Sequence, residues 1–470
     1  MADMQEDSGL NIFNRLTRGE FSKAWHGLVD RARMALDKNH RYENREVLKS
    51  LIHDCIYAKG GDVSARARTV ELGAVYLNFS RQGREVFHDI LANDFDIDRQ
   101  VLAERIKDLQ AAGDGASRIS AEIDLKKALT PPRLILLKQF SSLPNGFKFL
   151  IDMRADLLLK TSQDKNLWKL SLDIKEILEA WFDIGLLDLQ EITWNSPAAL
   201  LEKLIEYEAV HEIRSWSDLH KRLASNRLCF AFFHNKMPSE PLIFVEVALV
   251  NKLSSNIQEL LNKEDEKIEP EQASTAIFYS ISNTQPGLAG INLGNFLIKT
   301  VVQELSNEYD NLKHFATLSP VPDFRKWLDP KLAAGDEDVL RTKEIAALKD
   351  RFACENAAYQ LEEILTGDWH RNSETAEVAK PILQRLCAKY LVEERCGNRT
   401  LDPVANFHLT NGARLERINW CADISEIGMK RSYGFMVNYY YELSDIEKNH
   451  EEYVTKTNIV ISRPVKSLLK

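Results

Sequence analysis

The pattern of apolar residues changes near Leu223, and this change limits the fold more than any other feature of the sequence. From about Phe21 to Asp188, apolar side chains recur at helical spacing, which predicts amphipathic helices. After Leu223 the runs LCFAFFH and LIFVEVALV are short and rich in Phe and Val, a composition typical of strands. The sequence therefore predicts an α+β multidomain protein in which an all-α helical bundle precedes an α/β domain.

The predicted helical domain covers residues 1–185. Its apolar stripes contain Phe21, Trp25, Leu28, Val29, Ala32 and Leu36 in one place and Val101, Ile106 and Leu109 in another. The helices are expected to break at Gly60 and Gly61, at residues 112–115 and at Pro131 and Pro132, because a turn is favoured there. A chain of 470 residues is too long for one core, so a second domain is expected over residues 186–470.

The second domain contains a strand, a glycine-rich turn and a helix in succession, with the sequences STAIFYSIS, NTQPGLAGINLGN and FLIKTVVQEL. Backbone N–H groups of such a turn can bind an anion at the helix N-terminus, so the pattern indicates either a phosphate site or a plain tight turn. The chain then returns through HFATLS, and the right-handed crossover rule predicts that this strand is parallel to the strand before the turn. Ser319 would then lie at the sheet edge where ligands usually bind.

Several side chains in this domain have both a structural and a chemical interpretation. Ser319 ends a predicted strand, where it is either a turn residue or a hydroxyl held at the rim of a pocket. His408 lies on the apolar face of a short helix that Asp402 is predicted to cap, as a core histidine or a catalytic one would. The tyrosines from Tyr439 to Tyr441 alternate across a final strand, and core packing alone would explain them.

Composition and motifs argue against several classes of protein. A net charge of -9 and a pI of about 5.8 do not suit nucleic-acid binding, which depends on clustered Lys and Arg. No apolar run is long enough to cross a bilayer. The six cysteines form no CxxC pair and no HExxH motif occurs, so no metal site is predicted. The N-terminus lacks the apolar core of a signal peptide, which makes cytoplasmic location the expectation.

Four blocks of the sequence together resemble the malonyl-CoA decarboxylase family: HNKMPSEPLIFVEVAL, STAIFYSISNTQPGLAGINLGNFLIK, FATLSPVPDFRKWL and DPVANFHLTNGARLERINWCAD. With the helical first half, the resemblance covers most of the chain. It implies that the N-terminal helical domain assembles a homo-oligomer, a dimer or tetramer. It also implies that the second domain is catalytic and has the α/β fold of the GCN5-related N-acetyltransferases (GNAT). A helical insertion is predicted in that domain at about residues 330–400.

The resemblance assigns expected roles to individual residues. It places Ser319, His408, Tyr441 and Ser280 at the active site. It assigns binding of the CoA pyrophosphate to the glycine-rich turn, whose residues are Ala289, Gly290, Ile291, Asn292, Leu293, Gly294 and Asn295. Animal members of the family carry a glutamate where this chain has Asn292. A carboxylate there is therefore not obligatory if this chain is active, and Asn292 would orient the substrate through hydrogen bonds.

The activity that the resemblance implies is conversion of malonyl-CoA to acetyl-CoA and CO2. Loss of CO2 leaves an electron pair on the thioester, so the substrate itself accepts the charge and no metal, flavin or pyridoxal cofactor is required. His408 is the expected proton donor to the α-carbon, and Ser319 is expected to hold its imidazole through a hydrogen bond. Tyr441, Ser280 and Asn292 are expected to hold the malonyl carboxylate or the enolate oxygen.

Two other functions fit parts of the sequence. A GNAT-fold acyl-CoA acyltransferase would bind the same class of ligand, but it would form product only when an acceptor is present. A helical interaction protein with an inactive CoA domain is the third alternative. The joint presence of Ser319, His408 and Tyr441 argues against it.

Overall fold

The computed structural model describes residues 44–57, 61–143, 145–224, 226–262, 269–291 and 293–470. The stripe predicted between Phe21 and Leu36 lies outside these residues. The chain divides into two compact units, which we call the helical unit and the sheet unit. The helical unit contains the chain up to residue 186 together with residues 234–238 and 285–291, and the sheet unit contains residues 187–233, 239–284 and 292–470.

The helical unit is built from helices whose ends follow local sequence signals. These helices are α1 (Arg45–Ile56), α2 (Gly61–Leu77), α3 (Arg81–Asn93), α4 (Arg99–Ala111), α5 (Ala116–Ala128), α6 (Arg133–Gln139), α7 (Gly146–Leu158) and α8 (Lys165–Trp181). The carboxylates of Asp98 and Asp164 accept hydrogen bonds from backbone N–H groups in the first turns of α4 and α8. These bonds satisfy donors that a helix would otherwise leave free. The turns predicted at 112–115 and before Arg133 are present.

Apolar side chains from several of these helices form the interior of the helical unit. The fully buried ones include Leu48, Phe87, Leu137, Leu150 and Ile174. The stripe predicted on α4 is not part of this core, because Val101 and Ile106 are 40% and 42% exposed. Helical spacing predicted the helix correctly but not its burial, since periodicity shows which residues share a face and not what covers that face.

The sheet unit begins with β1 (Leu187–Glu191), α9 (Ala198–Tyr207), α10 (Trp216–Arg222), β2 (Arg227–His234), β3 (Ile243–Val250), α11 (Ile257–Asn262), β4 (Thr275–Asn283), α12 (Gly294–Glu308), β5 (His314–Thr317) and β6 (Ser319–Pro320). It continues with α13 (Phe324–Ala333), α14 (Thr342–Phe352), α15 (Ala357–Leu365), α16 (Ser373–Val392), β7 (Arg395–Cys396), β8 (Arg399–Thr400), α17 (Pro403–Thr410), β9 (Arg414–Asn419), α18 (Glu426–Ser432), β10 (Met436–Tyr441), α19 (Ile446–Lys456) and α20 (Arg463–Leu468). The predicted insertion is helical apart from the short β7–β8 hairpin.

The larger strands form one mixed sheet in the order β1-β2-β3-β4-β5-β10-β6, with β9 paired to β10. β4 and β5 are parallel and are joined by α12, as the crossover rule predicted. β10 is antiparallel to β5, β6 and β9. The predicted α+β fold class is confirmed, because a helical region precedes a domain with a mixed sheet. The sequence patterns missed β1, β9 and the β7–β8 hairpin.

The register of β10 assigns its side chains to two faces of the sheet. Tyr441 lies opposite Phe315, and Val437 lies opposite Ser319, so these side chains share one face, which we call the Ser319 face. Tyr440 points to the other side of the sheet, which we call the opposite face, and packs there in an apolar core. None of the helices in the described ranges is long and apolar enough to cross a membrane.

Candidate active site

Three of the predicted site residues meet on the Ser319 face of the sheet unit. Ser319 begins β6, His408 lies near the end of α17 and Tyr441 ends β10. Ser319 Oγ is 2.9 Å from His408 Nε2, and Tyr441 Oη is 2.8 Å from His408 Nδ1. Both nitrogens of one imidazole therefore have a hydroxyl partner. The three side chains are buried, and Ser319 is the most accessible of them.

The hydrogen bonds around His408 all run in one direction, from Tyr441 through His408 to Ser319. Ser319 donates its hydroxyl proton to Thr317 Oγ1 over 2.9 Å, so its oxygen is free to accept from His408 Nε2–H. Nδ1 of the neutral ring then accepts from the hydroxyl of Tyr441. The result is a continuous chain of donors from Tyr441 through His408 to Ser319 and Thr317. Such a chain can deliver a proton to a ligand that lies beside Ser319.

Secondary structure fixes each member of this chain. Asp402 caps α17 by accepting a hydrogen bond from the Ala405 backbone N–H at 2.8 Å, as predicted, and this sets the start of the helix that carries His408. On the opposite face, the buried side chain of Asn438 donates to the Thr317 carbonyl at 2.7 Å. This bond holds the end of β5 just before Ser319. Thr317 and Asn438 were not predicted as site residues, although Thr317 lies two positions before Ser319 on the same face.

Burial controls the protonation of His408. Its ring stacks on Tyr439, with ring centroids 4.5 Å apart, and has no charged partner among the described side chains. Desolvation lowers the pKa of His408 from 6.5 to about 3, and burial raises the pKa of Tyr441 well above its ordinary value. The imidazole is therefore neutral at ordinary pH in the free protein. A carboxylate brought close to it would favour the imidazolium form.

The lowered pKa of His408 predicts how stability depends on pH. Between its folded pKa of about 3 and its ordinary value of 6.5, the unfolded chain binds the proton and the folded protein does not. His408 therefore makes the free energy of unfolding fall as pH drops below about 6.5, and contributes no pH dependence above it. In His408→Asn this contribution is absent, so the stability gap between wild type and variant should narrow by up to about 1.4 kcal/mol per pH unit between about pH 6.5 and pH 5. Urea titrations at several pH values measure the gap. A gap that stays constant would contradict the prediction.

The structure does not bring Ser280 to the other three residues. Two neighbouring residues of β3 show this: Glu246 lies opposite Ser280, and Val247 lies opposite Phe278. Tyr279, between Phe278 and Ser280, has no residue opposite it in β3 and is therefore an extra residue in β4. A β-bulge of this kind reverses the side chains that follow it. Phe278 contacts Tyr441 on the Ser319 face, with ring centroids 6.5 Å apart. Ser280 is turned to the opposite face by the bulge.

Ser280 instead belongs to a buried network around Glu208, a residue that the sequence patterns did not single out. Its hydroxyl lies 2.7 Å and 2.8 Å from the two carboxylate oxygens of Glu208. Ser282 donates to the same carboxylate at 3.1 Å, and the backbone N–H groups of Val210 and His211 donate at 2.8 Å and 2.7 Å. Several donors therefore compensate one buried negative charge.

We expect Ser280→Ala to reduce stability more than catalysis. The variant removes one of several donors to a buried carboxylate, which typically costs about 1 to 3 kcal/mol. Ser282→Ala is the matched control, because it removes a weaker bond to the same carboxylate. Denaturant titrations and turnover measurements on both variants test this. A loss of turnover as large as that of Ser319→Ala, with stability unchanged, would place Ser280 in the catalytic machinery.

The predicted CoA-binding turn is described on both sides of Asn292, which lies outside the described residues. Ala289, Gly290 and Ile291 belong to the helical unit, and Gly290 has a φ of +78°, a backbone conformation that favours glycine. In the sheet unit, Leu293 precedes α12, whose first turn contains Gly294 and Asn295. A Cβ atom on Gly294 would lie 2.6 Å from the ring of Phe407, the neighbour of His408. Glycine therefore allows the start of α12 to pack against α17.

The described side chains around this site do not form a metal-binding cluster. Among the residues that the structure describes, no group of three or more His, Cys, Asp or Glu side chains is placed to hold a metal ion. The imidazole of His408 has both nitrogens engaged with hydroxyl groups, so it is arranged for proton transfer.

Family models match most of the chain. The model for the malonyl-CoA decarboxylase C-terminal domain matches residues 185–470, and the model for the malonyl-CoA decarboxylase N-terminal domain matches residues 95–182. Among individual relatives, the mitochondrial malonyl-CoA decarboxylase of Rattus norvegicus is 37% identical over 394 residues, which cover 81% of this chain and 80% of the relative. The corresponding protein of Anser anser anser is 38% identical over 399 residues, covering 81% and 78%.

Solved structures show the same relationship. The crystal structure of malonyl-CoA decarboxylase from Rhodopseudomonas palustris matches with a TM-score of 0.81 and 39% identity, covering 90% of this chain and 99% of that chain. The structure from Agrobacterium vitis matches with a TM-score of 0.79 and 37% identity over the same shares of the two chains. The resemblance seen in the sequence blocks is therefore confirmed over both domains. The chain belongs to the malonyl-CoA decarboxylase family.

Proposed function

We propose that this protein converts malonyl-CoA to acetyl-CoA and CO2. The observation that carries the proposal is the hydrogen-bonded chain of Tyr441, His408 and Ser319 in a chain that belongs to this family. The chemistry needs a proton donor beside the α-carbon of the substrate. His408 is a general acid of the required kind, and its two hydroxyl partners fix the orientation of its ring.

The reaction balances with one proton consumed per turnover. The bond between the α-carbon and the carboxylate breaks, CO2 leaves, and the electron pair moves into the thioester to form an enolate. The incoming malonyl carboxylate favours protonation of His408 from water, which offsets the desolvation of its ring. The imidazolium then gives its Nε2 proton to the α-carbon and becomes neutral with its remaining proton on Nδ1, so Tyr441 now accepts from Nδ1–H and Ser319 donates to Nε2. Proton exchange with solvent restores the Nε2–H tautomer of the free protein before the next turnover.

The proposal assigns the other predicted residues the following roles. In this proposal Ser319 contacts the thioester of the substrate, because it is the most accessible member of the chain. Asn292 holds the malonyl carboxylate through its amide. Ser280 is left out of the direct contacts, since its hydroxyl is bound to Glu208 on the opposite face. The backbone of residues 289–295 binds the CoA pyrophosphate.

The proposal includes no metal or organic cofactor, because the thioester itself accepts the electron pair. It also includes assembly into a dimer or tetramer through the helical domain and a cytoplasmic location. The rat and goose relatives are named as mitochondrial proteins, so location within the cell needs its own measurement. Sedimentation at micromolar protein tests the oligomer, and a species of monomer mass alone would contradict it.

The deciding experiment supplies the chelator-treated protein with malonyl-CoA and no acceptor. We expect CO2 and acetyl-CoA to appear in equal amounts and at the rate of the untreated protein. An acyltransferase of the GNAT class would form neither product, and after addition of an amine acceptor it would release free CoA and the acylated amine instead. Activity that disappears with the chelator and returns with a metal ion would overturn the cofactor-free mechanism while retaining the reaction.

A further inference from the structure

Arg154, on α7, lies against the backbone that leads into the predicted CoA-binding turn. Its side chain is buried, with 4% of the residue exposed. One guanidinium nitrogen donates to the carbonyl of Gly287, and the other terminal nitrogen donates to the carbonyl of Ala289 at 2.8 Å. Nε donates to the carbonyl of Ser171 on α8 at 3.3 Å. All of these residues belong to the helical unit.

Arg154 has no carboxylate in direct contact among the described residues. It forms no salt bridge there, and burial lowers the pKa of its guanidinium, although the more distant carboxylate of Glu179 acts in the opposite direction. Arg133, equally buried in the same unit, is paired with both Asp96 and Asp173. A buried cation without a carboxylate is costly, so it is retained only where its position has another use. Here its hydrogen-bond partners are the carbonyl oxygens of Ser171, Gly287 and Ala289.

Close packing holds the same segment against α7. A Cβ atom on Gly287 would lie 1.9 Å from the carbonyl oxygen of Ile151, so only glycine fits at this point. Gly287 is in a single helical turn, Pro286–Leu288, that comes immediately before Ala289. The arginine and the glycine contact therefore fix the backbone just before Gly290 and Ile291.

A second cation lies beside this turn. The Cε atom of Lys175, on α8, would be 3.5 Å from a Cβ atom on Gly290. Its ammonium group is paired with Glu179 at 2.8 Å. Two cations, Arg154 and Lys175, therefore lie next to the turn with the single carboxylate of Glu179, and this excess of positive charge favours binding of an anion.

We propose that Arg154 is a positioning residue for the diphosphate of CoA: it holds the carbonyls of Gly287 and Ala289 so that the Gly290 N–H points to the anion, while the Ile291 N–H donates to the Leu288 carbonyl at 3.0 Å within the turn. This inference rests on the proposed function, because it takes a CoA thioester as the substrate. Arg154 acts through the turn and not on the reacting atoms. Its loss should therefore weaken binding of the nucleotide end of the substrate and leave the chemical step intact.

The test compares two substrates that share the malonyl thioester and differ in the diphosphate. These are malonyl-CoA and malonyl-pantetheine, which lacks the nucleotide. In Arg154→Met we expect KM for malonyl-CoA to rise roughly tenfold or more, since a hydrogen bond from a charged group is involved. We expect kcat for malonyl-CoA, and kcat/KM for malonyl-pantetheine, to stay near the wild-type values. Arg154→Lys keeps the charge but not the forked geometry, so it should restore part of the affinity.

Two further variants separate positioning from general loss of structure. Arg133→Lys is the matched control, because it disturbs a buried arginine in the same unit far along the chain from the turn. It should lower the melting temperature without changing the ratio of kcat/KM for the two substrates. Gly287→Ala moves the segment without removing a charge, so it should change that ratio in the same direction as Arg154→Met. Arg154→Lys, which keeps the buried charge, keeps the test available if Arg154→Met fails to fold.

Failure of the proposed function and failure of the inference about Arg154 give different results. If the wild type releases no CO2 from malonyl-CoA, the proposed function fails. Calorimetric titrations with CoA and with pantetheine then still decide the role of Arg154. Weaker binding of CoA alone in Arg154→Met would support the inference. Equal losses of kcat/KM for malonyl-CoA and malonyl-pantetheine in Arg154→Met would overturn the inference. An unchanged KM for malonyl-CoA in the folded variant would also overturn it.

Discussion

Replacing His408 with alanine is expected to lower kcat for malonyl-CoA by about 10²- to 10⁴-fold, the usual contribution of a positioned general acid. KM should change little, because the CoA portion of the substrate is bound elsewhere. The variant leaves Ser319 and Tyr441 without the ring that joins them. Steady-state release of CO2 from purified protein measures the effect.

The sheet offers a matched control for this variant. His314 forms a similar pair with a tyrosine of β10, since its Nδ1 is 2.7 Å from the hydroxyl of Tyr440. This pair lies on the opposite face, so His314→Ala removes a histidine–tyrosine hydrogen bond from the same sheet without touching the candidate site. We expect it to retain turnover. Equal losses of kcat in His408→Ala and His314→Ala would mean that the effect comes from the sheet and that His408 is not the acid.

Ser319→Ala is expected to lower kcat by about 10²- to 10³-fold, the range seen when one preorganised hydrogen-bond donor or acceptor is removed from a reacting group. The change is small in volume, so folding should survive it. It leaves His408 Nε2–H without its acceptor, so one of the two hydrogen bonds that orient the ring is lost. Ser282→Ala, a buried serine change on the opposite face, serves as the control for side-chain size.

The double variant Ser319→Ala/His408→Ala gives a sharper test. Residues that act as one unit show strongly non-additive losses. If Ser319 works through His408, the double variant should be about as slow as His408→Ala alone. Losses that multiply would mean that Ser319 contributes independently of the imidazole, and the hydrogen-bonded chain would then not describe the mechanism.

The order of elements in the sheet unit was predictable where local signals agree. The strand–turn–helix–strand pattern fixes β4, α12 and β5, and crossover handedness then makes the two strands parallel. The capped helix with His408 follows from Asp402 and Pro403 at its start. These signals lie within a few residues of what they determine, so the candidate site could be placed at one sheet edge from sequence.

The side-chain direction of Ser280 could not be predicted in the same way. Simple alternation along β4 gives Ser280 the same face as Phe278. The extra residue, Tyr279, arises from pairing with β3, and only the register with Glu246 and Val247 reveals it. The contact of Arg154 with Ala289 is equally hidden, since 135 residues separate the two. Periodicity and caps contain no information about such distant partners.

The return of residues 285–291 to the helical unit has a consequence for synthesis on the ribosome. Arg154 emerges long before its acceptor at Ala289, which follows 135 residues later. At typical rates of about 5 to 20 residues per second, this interval lasts roughly 7 to 27 s. Throughout that time the two terminal nitrogens of Arg154 lack the carbonyl acceptors at Gly287 and Ala289, which have not yet been made. The helical unit therefore completes its packing only after the first strands of the sheet unit have been made. Folding of the two units is thus coupled in time.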